Sequence, residues 1–196
     1  MNKIGRKIYH LLGGLILIGL YVWFGRTAGL SVLLGMFVFV FVADTIRLRS
    51  SSFNKFIFRY FGRFIRDNEK DRFTGTPWYV LGVLSSAAIY DIPIALYAVA
   101  FLAVGDVSAT TIGERWGSIK VSGVKSLQGT IAFFAASVIS GAVIARFIYP
   151  MPTVAYIAGA AVAAVVEILP VKLNDNLTVP VISGGVMWLL MGILPA

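Results

Sequence analysis

No cysteine occurs in the 196 residues of this sequence. Disulfides, thiolate metal sites and thiol nucleophiles are therefore excluded, and the absence says nothing about compartment. Histidine occurs once, as His10, which leaves too few imidazoles for a zinc centre. Charge is scarce too. Asp, Glu, Lys and Arg make up 13% of the chain, against ~25% in an ordinary soluble domain. Acids are the scarcer sign, 9 against 17 Lys and Arg. No internal repeat, low-complexity tract or separate soluble domain is visible, so residues 1–196 are expected to form a single membrane-embedded domain.

Apolar residues are what the chain has most of: 58% hydrophobic, with a mean hydropathy of +0.85. A soluble protein of this length could not hide so much apolar surface. Lipid is the expected solvent, and each crossing then needs roughly 20 mostly apolar residues. Apolar runs lie at Ile8–Phe24, Gly29–Ala43, Pro77–Ile89, Ile92–Val104, Leu127–Ile148, Thr153–Leu169 and Val179–Leu194. They predict an all-α fold, a polytopic integral membrane helical bundle of about seven transmembrane helices. The third and fourth runs are short, and a single re-entrant hairpin is the alternative for them. The first run follows a basic start, but "GRTAGLS" is a poor cleavage site, so the run reads as a retained helix rather than a signal peptide.

Lys and Arg set the orientation. Lys3, Arg6 and Lys7 precede the first run. Arg47, Arg49, Lys55, Arg59, Arg63, Arg66, Lys70 and Arg72 lie between the second and third. Arg115, Lys120 and Lys125 lie between the fourth and fifth, and Lys172 between the sixth and seventh. The opposite loops hold Arg26, Asp91 and a border Arg146. The N-terminus is thus expected in the cytosol. The net charge of +8 reads as topology and anionic headgroup contact, not as nucleic-acid binding. Asp44, Asp67, Glu69, Asp71, Asp106, Glu114, Glu167 and Asp175 fall on the same side, although topology does not require acids there. Acids and bases gathered at one membrane face suit a site that handles a phosphorylated, metal-bound substrate.

Four stretches carry candidate chemistry. In "FNKFIFRYFGRFIRDNEKDRFTG" (Phe53–Gly75) aromatic residues alternate with Lys55, Arg59, Arg63 and Arg66 at helical spacing, the pattern of a basic amphipathic helix lying in the interface. Its end, with Glu69, Arg72, Thr74 and Gly75, approaches the third run and is a candidate part of the site. In "GDVSATTIGERWG" (Gly105–Gly117) a helix would place Asp106, Thr110, Gly113 and Gly117 on one face. A carboxylate there can hold Mg²⁺ and the small residues leave room for a bulky group, although small residues also serve helix packing. Asp106 at the end of an apolar run is costly to bury, which argues for function.

In "KVSGVKSLQGT" (Lys120–Thr130) Lys125 offers a point charge for phosphate, and Ser126 with Gly129 shapes a turn into the fifth run. The Walker A order is absent. In "LNDNLTVP" (Leu173–Pro180) one Asn or Asp would suffice to cap a helix, whereas Asn174, Asp175 and Asn176, with Glu167 and Lys172 near, supply more. Asp175 can bind metal or draw the proton from an attacking hydroxyl, and the amides can hold phosphate or base edges. Arg6 and His10 share a helix face at i, i+4, and Asp44 and Arg47 stand at i, i+3.

Taken together, Arg6, Lys7, His10 and Gly13–Gly14, the "TG" of Thr74–Gly75, "GDVSATTIGERWG", "KSLQGT" and Glu167 with "NDNLTVP" resemble the CTP-dependent lipid kinases, the dolichol kinase, phytol kinase and fungal-type diacylglycerol kinase group. The match covers nearly the whole chain, most specifically Gly105–Thr130. The resemblance implies transfer of the γ-phosphoryl group of CTP to the hydroxyl of a membrane lipid alcohol at the cytosolic face, with Mg²⁺. It implies metal on Asp106 and Asp175, Lys125 and Arg72 on the phosphates, and Gly105, Thr110, Gly113, Gly117, Lys120, Ser126, Asn174 and Asn176 around the nucleotide. Arg6, His10, Asp44, Arg47, Glu69 and Glu167 would support them. One departure is Gln128, where the family usually has an acid.

Two rival readings use other chemistry. A CTP:phosphatidate cytidylyltransferase would show closely spaced carboxy-terminal Asp residues, which this chain lacks. A small transporter would place its polar residues near the midplane on broken helices, whereas here they gather at one face. The acceptor is left open among diacylglycerol, polyprenol, dolichol and phytol, and CTP over ATP rests on the resemblance alone.

Overall fold

A straight helix of 47 residues would be ~70 Å long, more than twice the thickness of the bilayer's hydrocarbon core. The first element, α1 (Lys3–Arg49), has that length and does not stay straight. In the computed structural model, which describes residues 3–66, 69–123, 125–170 and 173–193, Gly25 takes φ 73° and ψ 175°. Only glycine adopts such a backbone without strain. Beyond it a Cβ on Gly29 would stand 2.9 Å from the Cα of Tyr21, whereas residues eight apart on a straight helix are ~12 Å apart. The chain doubles back at Gly25, so residues 3–24 and 26–49 form a helical hairpin that accommodates the first two apolar runs. Asp67, Lys172, Leu194 and the Lys3 side chain, all used in the sequence reading, lie outside the described residues.

The hairpin is stitched at both ends. At its tip Arg26 donates to the carbonyls of Ala88 (3.0 Å) and Tyr90 (3.1 Å) and faces Asp91. Partway along, the Tyr21 hydroxyl donates to the Ala87 carbonyl (3.0 Å). Near its open end the Tyr79 hydroxyl donates to the His10 carbonyl (2.7 Å).

Next comes α2 (Ser51–Phe61), capped by Ser50 Oγ, which accepts from the Phe53 amide (3.3 Å). No residue of α2 is buried. Its exposed Phe56, Tyr60 and Phe61, with Lys55 and Arg59 between them, fit the expected interfacial helix. A single 3₁₀ turn (Gly62–Phe64) follows.

The remaining apolar runs form α3 (Gly75–Ile89), α4 (Ile92–Trp116), α5 (Leu127–Phe147), α6 (Thr153–Ile168) and α7 (Asp175–Ile193). By length and composition α1, α4, α5 and α7 can cross a bilayer, while α6 is apolar but shorter. Of the third and fourth runs, the third forms α3 with 15 residues, while α4 has 25 and is buried nearly all round from Tyr97 to Ala103. A helix that is apolar on every side belongs at the centre of a bundle, and α4 packs against α1, α5 and α7. Outward faces carry large apolar side chains, Trp23 at 85%, Phe39 at 74% and Phe147 at 76% exposure, as lipid contact requires. One addition to the all-α expectation is a small antiparallel hairpin, β1 (Lys120–Ser122) with β2 (Lys125–Ser126).

The open end of the α1 hairpin clamps the segment leading into α3. Arg47, 2% exposed, donates to Asp44 Oδ1 (2.5 Å), to the Lys70 carbonyl (3.0 Å) and to the Arg72 carbonyl (2.6 Å). Asp44 Oδ2 in turn accepts from the Thr74 amide (2.7 Å) and hydroxyl (3.1 Å). Breaking one side of a buried ion pair strands the other charge. Arg47→Met is therefore expected to destabilise by about 3–5 kcal/mol, and Asp44→Asn combined with Arg47→Met by less than the single Arg47 change. Thermal unfolding in detergent of the wild type and the two variants measures this, and an equal or larger loss in the double variant contradicts it.

Candidate active site

Five chain segments end at the same face of the bundle: the start of α1, the last turns of α4, the hairpin leading into α5, the end of α6 and the start of α7. Between them lies a cavity of about 800 Å³, walled by Arg6, Asp106, Thr110, Lys120, Lys125, Glu167 and Asp175 among others. Each segment places its residues for a local reason.

Helix α4 runs on past its apolar part to Trp116. That keeps the 3.6-residue repeat through "DVSATTIGERW" and puts Asp106, Thr110, Gly113 and Gly117 in the same wall of the cavity. The Thr110 hydroxyl donates back to the Asp106 carbonyl (2.9 Å), which leaves its oxygen lone pairs for a ligand. Gly113 and Gly117 also serve packing, since a Cβ on Gly113 would stand 3.1 Å from Ser126 Oγ. Their bareness lets the start of α5 press against α4. Ser126 caps α5 by accepting from the Gly129 amide (3.2 Å).

Lys125 stands just before that cap and joins three segments. Its ammonium lies 3.1 Å from Glu167 Oε1 and 3.2 Å from Asp175 Oδ2, and it also donates to the Glu167 carbonyl. Burial alone pulls the Lys125 pKa down, but the Asp175 and Glu167 carboxylates more than offset it, and the net shift is upward. Lys125 is therefore a fixed cation in the cavity wall at neutral pH.

The three polar residues ahead of α7 divide the work among them. Asn174 is the cap: its side chain accepts from the Asn176 amide (3.0 Å) and its carbonyl from Thr178 (3.1 Å). Asp175 faces the cavity and holds Lys125. Asn176 donates through its side chain to the Gly75 carbonyl (3.3 Å), tying α7 to α3.

His10 lies on the inner face of α1, its ring 4.2 Å from that of Tyr79 and its Nε2 3.6 Å from Asp106 Oδ2. That nitrogen is buried and has no hydrogen-bond partner among the described residues. Arg6, one turn earlier, reaches the cavity.

Other expected residues lie beside the cavity, not in its wall. Asp44 and Arg47 form the clamp described above. Glu69 accepts from the Arg66 amide (3.0 Å) and the Gly75 amide (3.1 Å), so it shapes the loop into α3. Arg72 contributes its carbonyl to Arg47, and its exposed side chain is not part of the wall. Gly105 packs on the Phe133 ring. Gln128 donates to Ser118 Oγ (2.6 Å) and accepts from the Ile119 amide (3.3 Å), closing the loop between α4 and α5.

Sequence reasoning assigned Arg66 to the interfacial helix, yet it lines the cavity together with Glu114, Trp116 and Ser118. Glu114 pairs with Lys7 (3.0 Å). Nothing in the local pattern separates Arg66 from Arg59 or Arg63. Only the turn at Gly62–Phe64 redirects it.

No group of three or more His, Asp or Glu side chains suited to a metal ion occurs among the described residues. Mg²⁺ bound through substrate phosphates needs only one or two protein carboxylates. The Asp106 carboxylate has only His10 Nε2, at 3.6 Å, as a charged neighbour within reach among the described residues, and Asp175 shares the cavity with it, so the donor set fits an ion that arrives with a polyphosphate.

The raised Lys125 pKa gives a test. A cation whose folded pKa lies above its unfolded value stabilises at all pH below the ordinary lysine value of 10.5 and loses that effect as pH rises through the folded value. The stability difference between wild type and Lys125→Met should thus not shrink as pH rises from about pH 6 to about pH 9. Melting curves in detergent across that range check it, and a difference that shrinks by pH 9 contradicts it.

Comparison with known proteins adds a second line of observation. Over 213 aligned positions the chain is 30% identical to CTP-dependent diacylglycerol kinase 1 of Saccharomyces cerevisiae, covering 93% of this chain and 71% of that protein. It is 31% identical over 153 positions to the protein of the same name in Eremothecium gossypii, covering 76% of this chain and 48% of that one. A third relative of that name, in Schizosaccharomyces pombe, is 29% identical over 170 positions, with 79% and 78% covered. No family model matches the chain, and no solved structure gives a significant match.

Proposed function

The chain belongs to the CTP-dependent lipid kinase family, with CTP-dependent diacylglycerol kinases as relatives, and we propose that it transfers the γ-phosphoryl group of CTP to the hydroxyl of a membrane lipid alcohol, diacylglycerol by preference. The observation that carries this reading is the cavity of about 800 Å³ at one end of an apolar bundle, with Arg6, Arg66, Lys120 and Lys125 facing Asp106 and Asp175. Such a wall suits a polyphosphate presented to an alcohol held in the bilayer. The basic residues of α2 and the flanking loops support a cytosolic position for this end.

Phosphoryl transfer asks for positioning and charge neutralisation more than for covalent help. In our reading Lys125 and the cavity arginines hold the phosphates. The alcohol oxygen forms the new bond to the γ-phosphorus, the bond from that phosphorus to the β–γ bridging oxygen breaks, and CDP leaves with the electron pair. The alcohol proton passes to a cavity carboxylate and on to solvent. Asp106 and Asp175 would hold Mg²⁺, which when bound neutralises charge on the phosphate oxygens. Asp175 has a second duty, keeping Lys125 extended into the cavity.

The test uses purified protein in detergent with CTP labelled at the γ- or the α-phosphate, and with diacylglycerol, polyprenol and phytol as acceptors. γ-Label without α-label in the lipid fraction is the expected result, and the mobility of the product names the acceptor. α-Label in lipid when phosphatidate is supplied would make the protein a cytidylyltransferase and overturn the proposal. Asp106→Asn and Asp175→Asn should each lower kcat by about 10²-fold or more, the usual loss when a charge aimed at the transition state is removed, with the folded protein retained in detergent.

A further inference from the structure

The catalytic cavity has a neighbour. A crevice of about 50 Å³ lies between the first turns of α1, the 3₁₀ turn and the start of α3. Asp106, Thr110, Arg6 and Arg66 line both spaces, so the two meet at the candidate catalytic carboxylate. Their linings differ in the residues around the shared ones. The cavity adds Lys120 and Lys125. The crevice adds Lys7 and Glu69, and is bordered by Tyr9, Phe64 and Ile65, with the Tyr9 and Phe64 rings 5.6 Å apart. Its wall also holds His10, whose buried Nε2 has no hydrogen-bond partner among the described residues.

A buried polar atom without a partner costs roughly 1–3 kcal/mol, and it persists in a site where a ligand supplies the partner. The crevice accommodates the hydroxymethyl end of an alcohol and is too small for a nucleotide. Its apolar edge is continuous with residues that follow the interfacial helix α2, where hydrocarbon is at hand.

Building on the proposed kinase activity, we infer that this crevice is the acceptor site: the lipid alcohol enters past Tyr9, Phe64 and Ile65, and its hydroxyl hydrogen-bonds to His10 Nε2 beside Asp106. His10 then acts as a positioning residue. It fixes the hydroxyl at the boundary where the γ-phosphate arrives from the larger cavity, and productive alignment of two substrates is worth much of a phosphoryl-transfer barrier. Asn176 and Thr76, also in its wall, complete the polar floor.

The experiment varies diacylglycerol at fixed CTP and CTP at fixed diacylglycerol in mixed micelles. His10→Ala should raise the apparent KM for diacylglycerol by about tenfold, the value of one lost hydrogen bond, with the KM for CTP unchanged. Ile65→Trp, a substitution at the crevice rim, should do the same without touching the core. A diacylglycerol bearing a diazirine on the acyl carbon nearest the glycerol should label peptides containing Tyr9, Phe64 or Ile65 in the wild type. An active wild type whose variants keep the acceptor KM, or shift the KM for CTP instead, overturns the acceptor site while leaving the kinase reading intact. Photolabel confined to α5 or α6 does so as well. A wild type that moves γ-label to no lipid removes the kinase reading and, with it, this inference.

Discussion

The candidate site depends on one partly buried cation. Lys125 is held by two carboxylates from different helices, Glu167 at the end of α6 and Asp175 at the start of α7, and it stands at the entry to α5. Three elements far apart in sequence are thereby fixed to one point. Taking an ammonium out of water is costly unless good partners replace the solvent, so this arrangement is favourable only with both acids in place. The same junction is pressed against α4, where Gly113 leaves room for Ser126. Asp106 and Thr110 are thus carried opposite Lys125 by a rigid helix, not by a loop.

Much of this was legible from residue patterns, and what escaped has a common cause. Apolar runs announced the helices because lipid imposes their length. The face formed by Asp106, Thr110, Gly113 and Gly117 followed from spacing alone, because one helix carries the first three and Gly117 caps it. Contacts between distant segments were not legible. Asn174, Asp175 and Asn176 read as a surplus of polar groups, and their separate tasks become clear only once Lys125 and Gly75 are placed beside them. Arg72 and Glu69 read alike as site residues. In the structure Glu69 shapes the loop through backbone amides, while Arg72 offers only a carbonyl. Arg66 was hidden among similar arginines. Gln128, a departure by composition, proves to be a loop closure between Ser118 and Ile119.

Polar groups are costly to place in a bundle that faces hydrocarbon, and this chain concentrates them at one end. The clamp of Asp44 and Arg47, the cap at Ser126 and the knot at Lys125 all lie there. At the other end Arg26 and Asp91 form one exposed pair. In the proposed reaction a water-borne donor and a bilayer-borne acceptor would then approach a common point from different sides without either crossing the apolar core.

The turn at Gly25 bears on how such a protein is built. Because residues 3–24 and 26–49 fold back on one another, both ends of the pair finish at the same surface. During synthesis the two arms can enter the bilayer together, burying apolar faces as a unit. In the proposed orientation the one charged side chain delivered across with their tip is Arg26, and backbone carbonyls at the α3–α4 junction receive it. The dense cluster of cations and acids that follows would then never have to leave the compartment in which it was made.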